Sequence, residues 1–224
     1  MNEIIIDRIA AFNNRVNTSL QTKKLIIDDS NVLHSEEVTR CKSKLIKEGC
    51  YVFKFYVVPS NYYDLTLLQR RDILKAKDLN QLCKSIIFEN TACLHKNYDD
   101  ITDSRYYCVI VQYATRFDAE LLRDVIHVLR KPTERIPRNK FHFKLASEED
   151  SFRISGFKHN AITPYGLKLQ IPFVLCSRIV ETSPDWFYMG GGQIDVKLGI
   201  PTNDFIRSMK PIIGRISKLE ELED

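Results

Sequence analysis

Apolar positions recur at helical spacing from the start of the chain. Ile5, Ile9, Phe12, Val16 and Leu20 lie three or four residues apart and predict an amphipathic helix over residues 2–20. Lys23-Lys24 and the apolar triplet after them lead into a short strand or turn. A second helix is expected from Ser35, with Glu36 and Glu37 in its first turn, Val38, Cys41 and Leu45 on one face, and Gly49 at its end. Cys50–Val58 alternates in part and is rich in Tyr, Val and Phe, predicting a strand stopped by Pro59. A third helix is expected over Leu65–Leu82, with Leu67, Leu68, Ile73, Leu74 and Leu82 inward. Strands follow at Cys83–Glu89 and Tyr106–Ala114, and Asp118–Leu129 reads as a helix with Leu121, Leu122, Val125 and Leu129 on one face. After a short strand at Phe141–Leu145, Ser147 caps a brief helix whose first turn is Glu148, Glu149 and Asp150. The remainder reads as strands at Ile171–Cys176, Trp186–Met189 and Asp195–Leu198, then a helix from Thr202. This alternation predicts a mixed α/β (α+β) fold, with helices covering a single mixed, largely antiparallel sheet or partial barrel.

Composition narrows the class. With 44% apolar and 28% charged residues, a disordered, collagen-like or disulfide-framework chain is excluded. No apolar run approaches the roughly 18–20 residues of a membrane span, and the first residues carry acids where a signal peptide is basic. Cysteines 41, 50, 83, 93, 108 and 176 form no CxxC pair and sit mostly in apolar runs, so buried free thiols in a reducing compartment are expected. The expectation is a soluble, intracellular, cytoplasmic protein. Backbone punctuation is uneven: of 8 glycines only Gly49 precedes residue 155, and of 8 prolines only Pro59 precedes residue 130. The last third of the chain must therefore turn often.

The familiar catalytic signatures (GxSxG, Walker A, HExxH, GxGxxG) are absent, and no cofactor or metal is expected. Cys93-x-His95 is half a zinc motif with no second pair. Two glycine loops carry more information. Gly156-Phe-Lys-His159-Asn160-Ala-Ile-Thr163-Pro164-Tyr-Gly166 can form a rigid rim, and Gly190-Gly191-Gly192 after an aromatic strand can offer backbone N–H donors to an oxyanion or phosphate. Each loop also fits a tight connection between strands. Between them and the first half lies a basic stretch, with Arg130, Lys131, Arg135, Arg138, Lys140 and Lys144 against Glu134, which would attract phosphates or simply form a solvated face.

The segment Gly156-Phe … Thr163-Pro164-Tyr-Gly166-Leu, followed by a strand and then Tyr188-Met-Gly190-Gly191-Gly192 … Lys197-Leu-Gly199, resembles the YbaK/prolyl-tRNA-synthetase-associated editing-domain family. Leu82-Cys83-Lys84-Ser85-Ile-Ile-Phe resembles that family's strand with its pocket lysine. The resemblance implies an editing domain over residues 31–214, between an N-terminal extension (1–30) and an acidic tail (215–224). It implies hydrolysis of the ester joining a wrong amino acid, such as alanine or cysteine, to tRNA for proline. Such an ester is already activated, so a positioned water and oxyanion stabilisation can suffice, with the ribose hydroxyl able to assist.

On this resemblance Lys84 positions the acceptor end, the Gly190, Gly191 and Gly192 amides face the carbonyl oxygen, and Gly156, His159, Asn160, Thr163, Pro164 and Gly166 shape the amino-acid pocket. Arg130, Lys131, Arg135, Arg138 and Lys140 would contact tRNA, and the 2–20 helix could dock an aminoacyl-tRNA synthetase. The other reading is a non-catalytic tRNA-binding or assembly module of a synthetase complex. Two positions depart from the family pattern: Asn160 stands where many members have glycine, and Gly190 where many bacterial members have serine. Both bear on substrate identity.

Overall fold

The computed structural model describes residues 34–94, 98 and 100–219. The expected 2–20 helix, His95 and the last five residues lie outside them. Helix α1 (Glu36–Lys47) forms as its pattern dictates: the Ser35 side chain accepts from the Val38 N–H, and Val38, Cys41 and Leu45 are buried on one face. Strand β1 (Lys54–Val57) and helix α2 (Leu67–Leu74) lead to the paired strands β2 (Cys83–Asn90) and β3 (Tyr106–Gln112). β4 (Thr115–Phe117), α3 (Ala119–His127), β5 (Phe143–Leu145) and α4 (Glu148–Ser155) follow. The last third holds β6 (Phe173–Cys176), α5 (Ser177–Val180), β7 (Phe187–Gly190), β8 (Val196–Ile200), α6 (Thr202–Met209), β9 (Ile212–Gly214) and β10 (Ser217–Leu219).

The fold is mixed α+β, as the alternation predicts. Its strands divide among a five-stranded sheet in the order β5-β2-β3-β6-β9, a three-stranded sheet β1-β8-β7 and a two-stranded ribbon β10-β4. β2 pairs antiparallel with both β5 and β3, whereas β6 pairs parallel with β3 and β9 parallel with β6. β3 is buried along its whole length, which is why its seven residues read as a near-continuous apolar run. The small sheet meets the large one where Leu82 bridges to Tyr188. All six cysteines are free and buried, matching the expected thiols.

Several expectations change. The helix expected over Leu65–Leu82 is two pieces. Lys75 turns left-handed (φ 54°) after α2, and a 3₁₀ turn at Leu79–Gln81 follows. Local polar groups decide this: Thr66 and Gln69 cap the first piece reciprocally, Asp78 and Gln81 the second, and Leu68 is 54% exposed rather than inward. The strand expected from Cys50 begins at Lys54, and β4, β9 and β10 were not foreseen.

Candidate functional site

The site lies between the two sheets. Lys84 and Ser85 of β2, Tyr188, Met189 and Gly190 of β7, and Lys197 of β8 line a cavity of about 480 Å³, within the range of roughly 300–1,000 Å³ usual for small-molecule sites. Its other walls are the Tyr62–Tyr63 turn, Tyr113, the start of α4 and the 157–162 part of the glycine-proline loop. Of the residues singled out in the sequence, Lys84, His159, Asn160 and Gly190 border this cavity. Gly156, Thr163, Pro164, Gly166, Gly191 and Gly192 are buried and do not border it.

Those six residues build the wall from behind. Arg40 of α1 reaches the loop's carbonyls, donating from Nε to Gly166 O at 2.8 Å and from Nη2 to Gly156 O at 2.9 Å and Ser155 O at 3.4 Å. Its guanidinium also lies 4.5 Å from the centre of the Phe157 ring. Gly166 has φ +90°, and a side chain there would press on the Arg40 backbone, so glycine is required for α1 to sit this close. Thr163 Oγ1 is 3.9 Å from Cys41 Sγ and accepts from the Tyr165 N–H. Asn160 adopts φ 65°, the left-handed conformation that Asn tolerates.

The triple glycine departs from the expected role. The Gly191 N–H donates to Val196 O at 3.0 Å and the Gly192 N–H to Ala161 O at 3.1 Å, so these two amides are engaged within the fold and do not point at a ligand. Gly190 is glycine for a steric reason: a Cβ there would lie 2.2 Å from Ile162 O. A serine at this position would collide with the loop backbone.

Sequence reasoning gave no role to Lys197, the most unusual residue of the site. It is 4% exposed, on the central strand of the small sheet. Its Nζ donates to Tyr63 Oη at 2.8 Å and to Ile194 O at 2.8 Å, and Tyr63 Oη donates onward to Asn160 O at 2.6 Å. Burial, with Arg70 adding to it and Asp195 opposing, brings its ammonium down to about 7. Around it stand Tyr62 and Tyr63, whose phenols burial pushes up, so they stay protonated. Arg70 lies 5.5, 5.3 and 5.6 Å from the Tyr62, Tyr63 and Tyr113 ring centres, and Lys84 Nζ lies 5.4 Å from that of Tyr113. The cavity is thus walled largely by tyrosine rings, with Lys84, Lys158 and Lys197 and one carboxylate, Glu148, among its lining. The sequence cue was a lone lysine in the otherwise apolar strand Val-Lys-Leu-Gly-Ile.

The basic stretch lies away from the cavity, and none of Arg130, Lys131, Arg135, Arg138 and Lys140 borders it. Acids distant in sequence offset part of its charge: Arg130 pairs with Asp100 at 2.8 Å and Arg138 with Asp124 at 2.9 Å. Lys131, Arg135 and Lys140 are exposed. Arg135 Nε also donates to Arg130 O. The stretch ends in β5, from which Leu145 and Ala146 reach the cavity. Among the described residues no cluster of three or more His, Cys, Asp or Glu is arranged to hold a metal ion. No helix among them is long and apolar enough to cross a membrane.

No family profile matches the sequence, and no curated protein does. Solved structures share the fold. One, a proposed trans-editing enzyme for prolyl tRNA synthetase, is 14% identical, with a TM-score of 0.64, and the match covers 82% of this chain and 98% of that one. A hypothetical protein is 13% identical over 80% of this chain and 99% of its own, with a TM-score of 0.60. A scaffold carrying a computationally grafted epitope is 12% identical over 82% of this chain and 98% of its own, with a TM-score of 0.62.

Proposed function

We propose that this chain is an editing hydrolase that cleaves the ester bond of mischarged aminoacyl-tRNA, with Ala- or Cys-tRNA for proline as its first candidate substrates. One observation carries the reading. Three segments far apart in sequence, around Lys84, Asn160 and Gly190, meet at one cavity of about 480 Å³. Its fold-level likeness to a proposed trans-editing enzyme supports the same reading.

In this scheme Lys84, half-buried on β2, receives the terminal phosphate or ribose of the acceptor end as a compact cation. The Tyr62, Tyr63, Tyr113 and Tyr188 rings offer apolar walls to the adenine base, in the way aromatic side chains take single-stranded bases. Asn160, Ile162 and Gly190 bound the space for the amino acid. The exposed lysines of the basic stretch contact the acceptor stem outside the cavity.

The test is a deacylation panel. Labelled Ala-, Cys- and Pro-tRNA for proline, with alanine and cysteine on their own tRNAs, are incubated with the purified chain and residual label is measured. Loss of label from a mischarged species is expected, and Lys84→Ala should cut that rate by roughly 10²-fold or more with an unchanged circular-dichroism spectrum. Full activity in Lys84→Ala sinks the assignment of the site. Binding of tRNA without hydrolysis by the wild type favours the non-catalytic module instead.

A further inference from the structure

We propose that Lys197 is the general base of this cavity, the group that takes the proton from the water attacking the ester; the assignment rests on the hydrolase reading above. Three geometric observations carry it. Lys197 borders the cavity, where Gly190 is its cross-strand neighbour on β7 and Tyr56 its neighbour on β1. Residues directly opposite in an antiparallel pair project to the same face, so the Lys197 side chain projects on the face that Gly190 leaves without a side chain.

The second observation is its hydrogen-bond inventory. Nζ meets two acceptors, Tyr63 Oη and Ile194 O, both uncharged, and no carboxylate lies within ion-pair distance among the described residues. A neutral amine has two N–H donors and one lone pair, so these two bonds satisfy it completely and leave the lone pair as its remaining function. An ammonium would carry a third N–H, which meets no hydrogen-bond acceptor among the described residues, only the Tyr62 and Tyr63 ring faces.

Third, Tyr63 cannot take over the lone-pair role or supply a competing charge. Its own proton is committed to Asn160 O, and through that bond the base is tied to the loop that shapes the amino-acid pocket.

Burial and Arg70 of α2 favour the neutral form of Lys197, while Asp195 from its own loop favours the charged one. The Tyr62 and Tyr63 rings lie 5.1 and 4.5 Å from Nζ and Tyr56 is the cross-strand neighbour on β1; Lys84 of β2, Tyr113, Tyr188 of β7, the carboxylate Glu148 of α4, and Lys158 and His159 of the glycine-proline loop share the cavity. The net result is an amine poised at about 7.

The step balances. As the water oxygen bonds to the ester carbonyl carbon, one water proton passes to the Lys197 lone pair and the carbonyl π electrons move to oxygen. When the tetrahedral intermediate collapses, the carbon–ribose oxygen bond breaks and Lys197 returns the proton to the leaving ribose oxygen. The amine is regenerated, and the free amino acid and the tRNA hydroxyl depart. A base positioned in this way contributes typically 10²–10⁴-fold.

The experiment measures kcat and KM for the most susceptible aminoacyl-tRNA across about pH 5.5 to 8, corrected for spontaneous hydrolysis, on the full chain and on Lys197→Met, Lys197→Arg and His159→Ala. The wild type should gain about tenfold in kcat per pH unit below about 7 and then level off. Lys197→Met should lose roughly 10²–10⁴-fold in kcat with KM little changed, and Lys197→Arg should not rescue it, since a guanidinium stays charged. His159→Ala should keep the inflection whatever it does to KM.

A second measurement is independent of substrate and of whether the variants fold: ¹⁵N NMR of the Lys197 amine in the wild type should show it titrating near 7. An ordinary lysine titration near about 10, or a Lys197→Met enzyme with the wild-type kcat and inflection, overturns the base assignment and leaves the hydrolase reading standing. A wild type that hydrolyses no aminoacyl-tRNA overturns both.

Discussion

Arg40 is the side chain whose removal most directly tests how the cavity is held open. It belongs to α1, yet its guanidinium spans the two ends of the 156–166 loop, with contacts of 2.8 and 2.9 Å to the Gly166 and Gly156 carbonyls and a longer one to Ser155. A hydrogen bond from a charged donor contributes about 1.5–3 kcal/mol, and leaving a buried carbonyl unpaired costs about 1–3 kcal/mol. Gly156 and Gly166 are both buried, so water does not readily replace the lost donor. Discounting the longer contact and the partial exposure of Arg40, Arg40→Ala should cost about 3 kcal/mol, or about 6–12 °C in Tm at roughly 2–4 °C per kcal/mol for a chain of this size. Arg40→Lys should recover little, because an ammonium cannot span both carbonyls.

The assay is urea and thermal unfolding followed by circular dichroism, with Arg207→Ala as control. That residue donates to Gly49 O at 2.9 Å from an exposed position, and its loss should cost less than about 1 kcal/mol. An Arg40→Ala protein within 1 kcal/mol of the wild type would show that the loop's own turns hold it and that the arginine is incidental.

Two further predictions follow from single contacts. Gly190→Ala places a methyl 2.2 Å from Ile162 O, a backbone atom that cannot swing aside, so it should cost about 3 kcal/mol, at the upper end of overpacking penalties, and should displace the loop; unfolding free energy and amide chemical shifts of residues 158–163 check it. Asp118 caps α3 and is tied to β10 by Lys218 at 2.6 Å, which holds its carboxyl below the usual carboxylate range. A depressed pKa stabilises the fold above the unfolded value of about 3.9 and ceases to do so as pH falls through the folded value. Asp118→Asn should therefore be less stable than wild type by up to about 1 kcal/mol near neutrality, with the difference fading as pH falls below about 3.9 and through the folded value; an undiminished gap in acid contradicts the linkage.

The parts of the fold that were legible are those settled within one segment. α1 shows its Ser35 cap, its three buried positions and its terminal glycine in sequence order, and β3 shows its burial as an apolar run. The region 65–82 misled because apolar spacing alone suggests a long helix, whereas Thr66 with Gln69 and Asp78 with Gln81 mark two separate starts. Those pairs were visible, and they outrank spacing because they satisfy backbone donors locally. β4, β9 and β10 were not legible, since three residues carry no period and their partners lie far away: β4 pairs with β10, and β9 with β6. At the site, the two glycine loops and Lys84 could be picked out, but not which residues face the cavity. Lys197 needed Tyr63, 134 positions away, before its burial meant anything.

The chemistry of the site follows from where its backbone is already committed. A glycine run beside a pocket suggests an oxyanion hole of bare amides, and here two of the three amides are bonded to Val196 and Ala161 carbonyls. An oxyanion would have to displace those bonds, losing in the fold what it gained in the transition state, so the Gly191 and Gly192 amides offer no preorganised stabilisation. The third glycine makes room for the loop at Ile162. With these two amides engaged, polarity inside the cavity comes largely from side chains: Lys84 as a cation, Glu148 as a carboxylate, the tyrosine phenols as neutral partners with Arg70 against their rings, and Lys197 as the amine whose charge burial makes conditional. If the cavity hydrolyses an ester, charge and proton transfer must be managed by these groups, and the glycines serve by letting three segments approach closely enough to surround them.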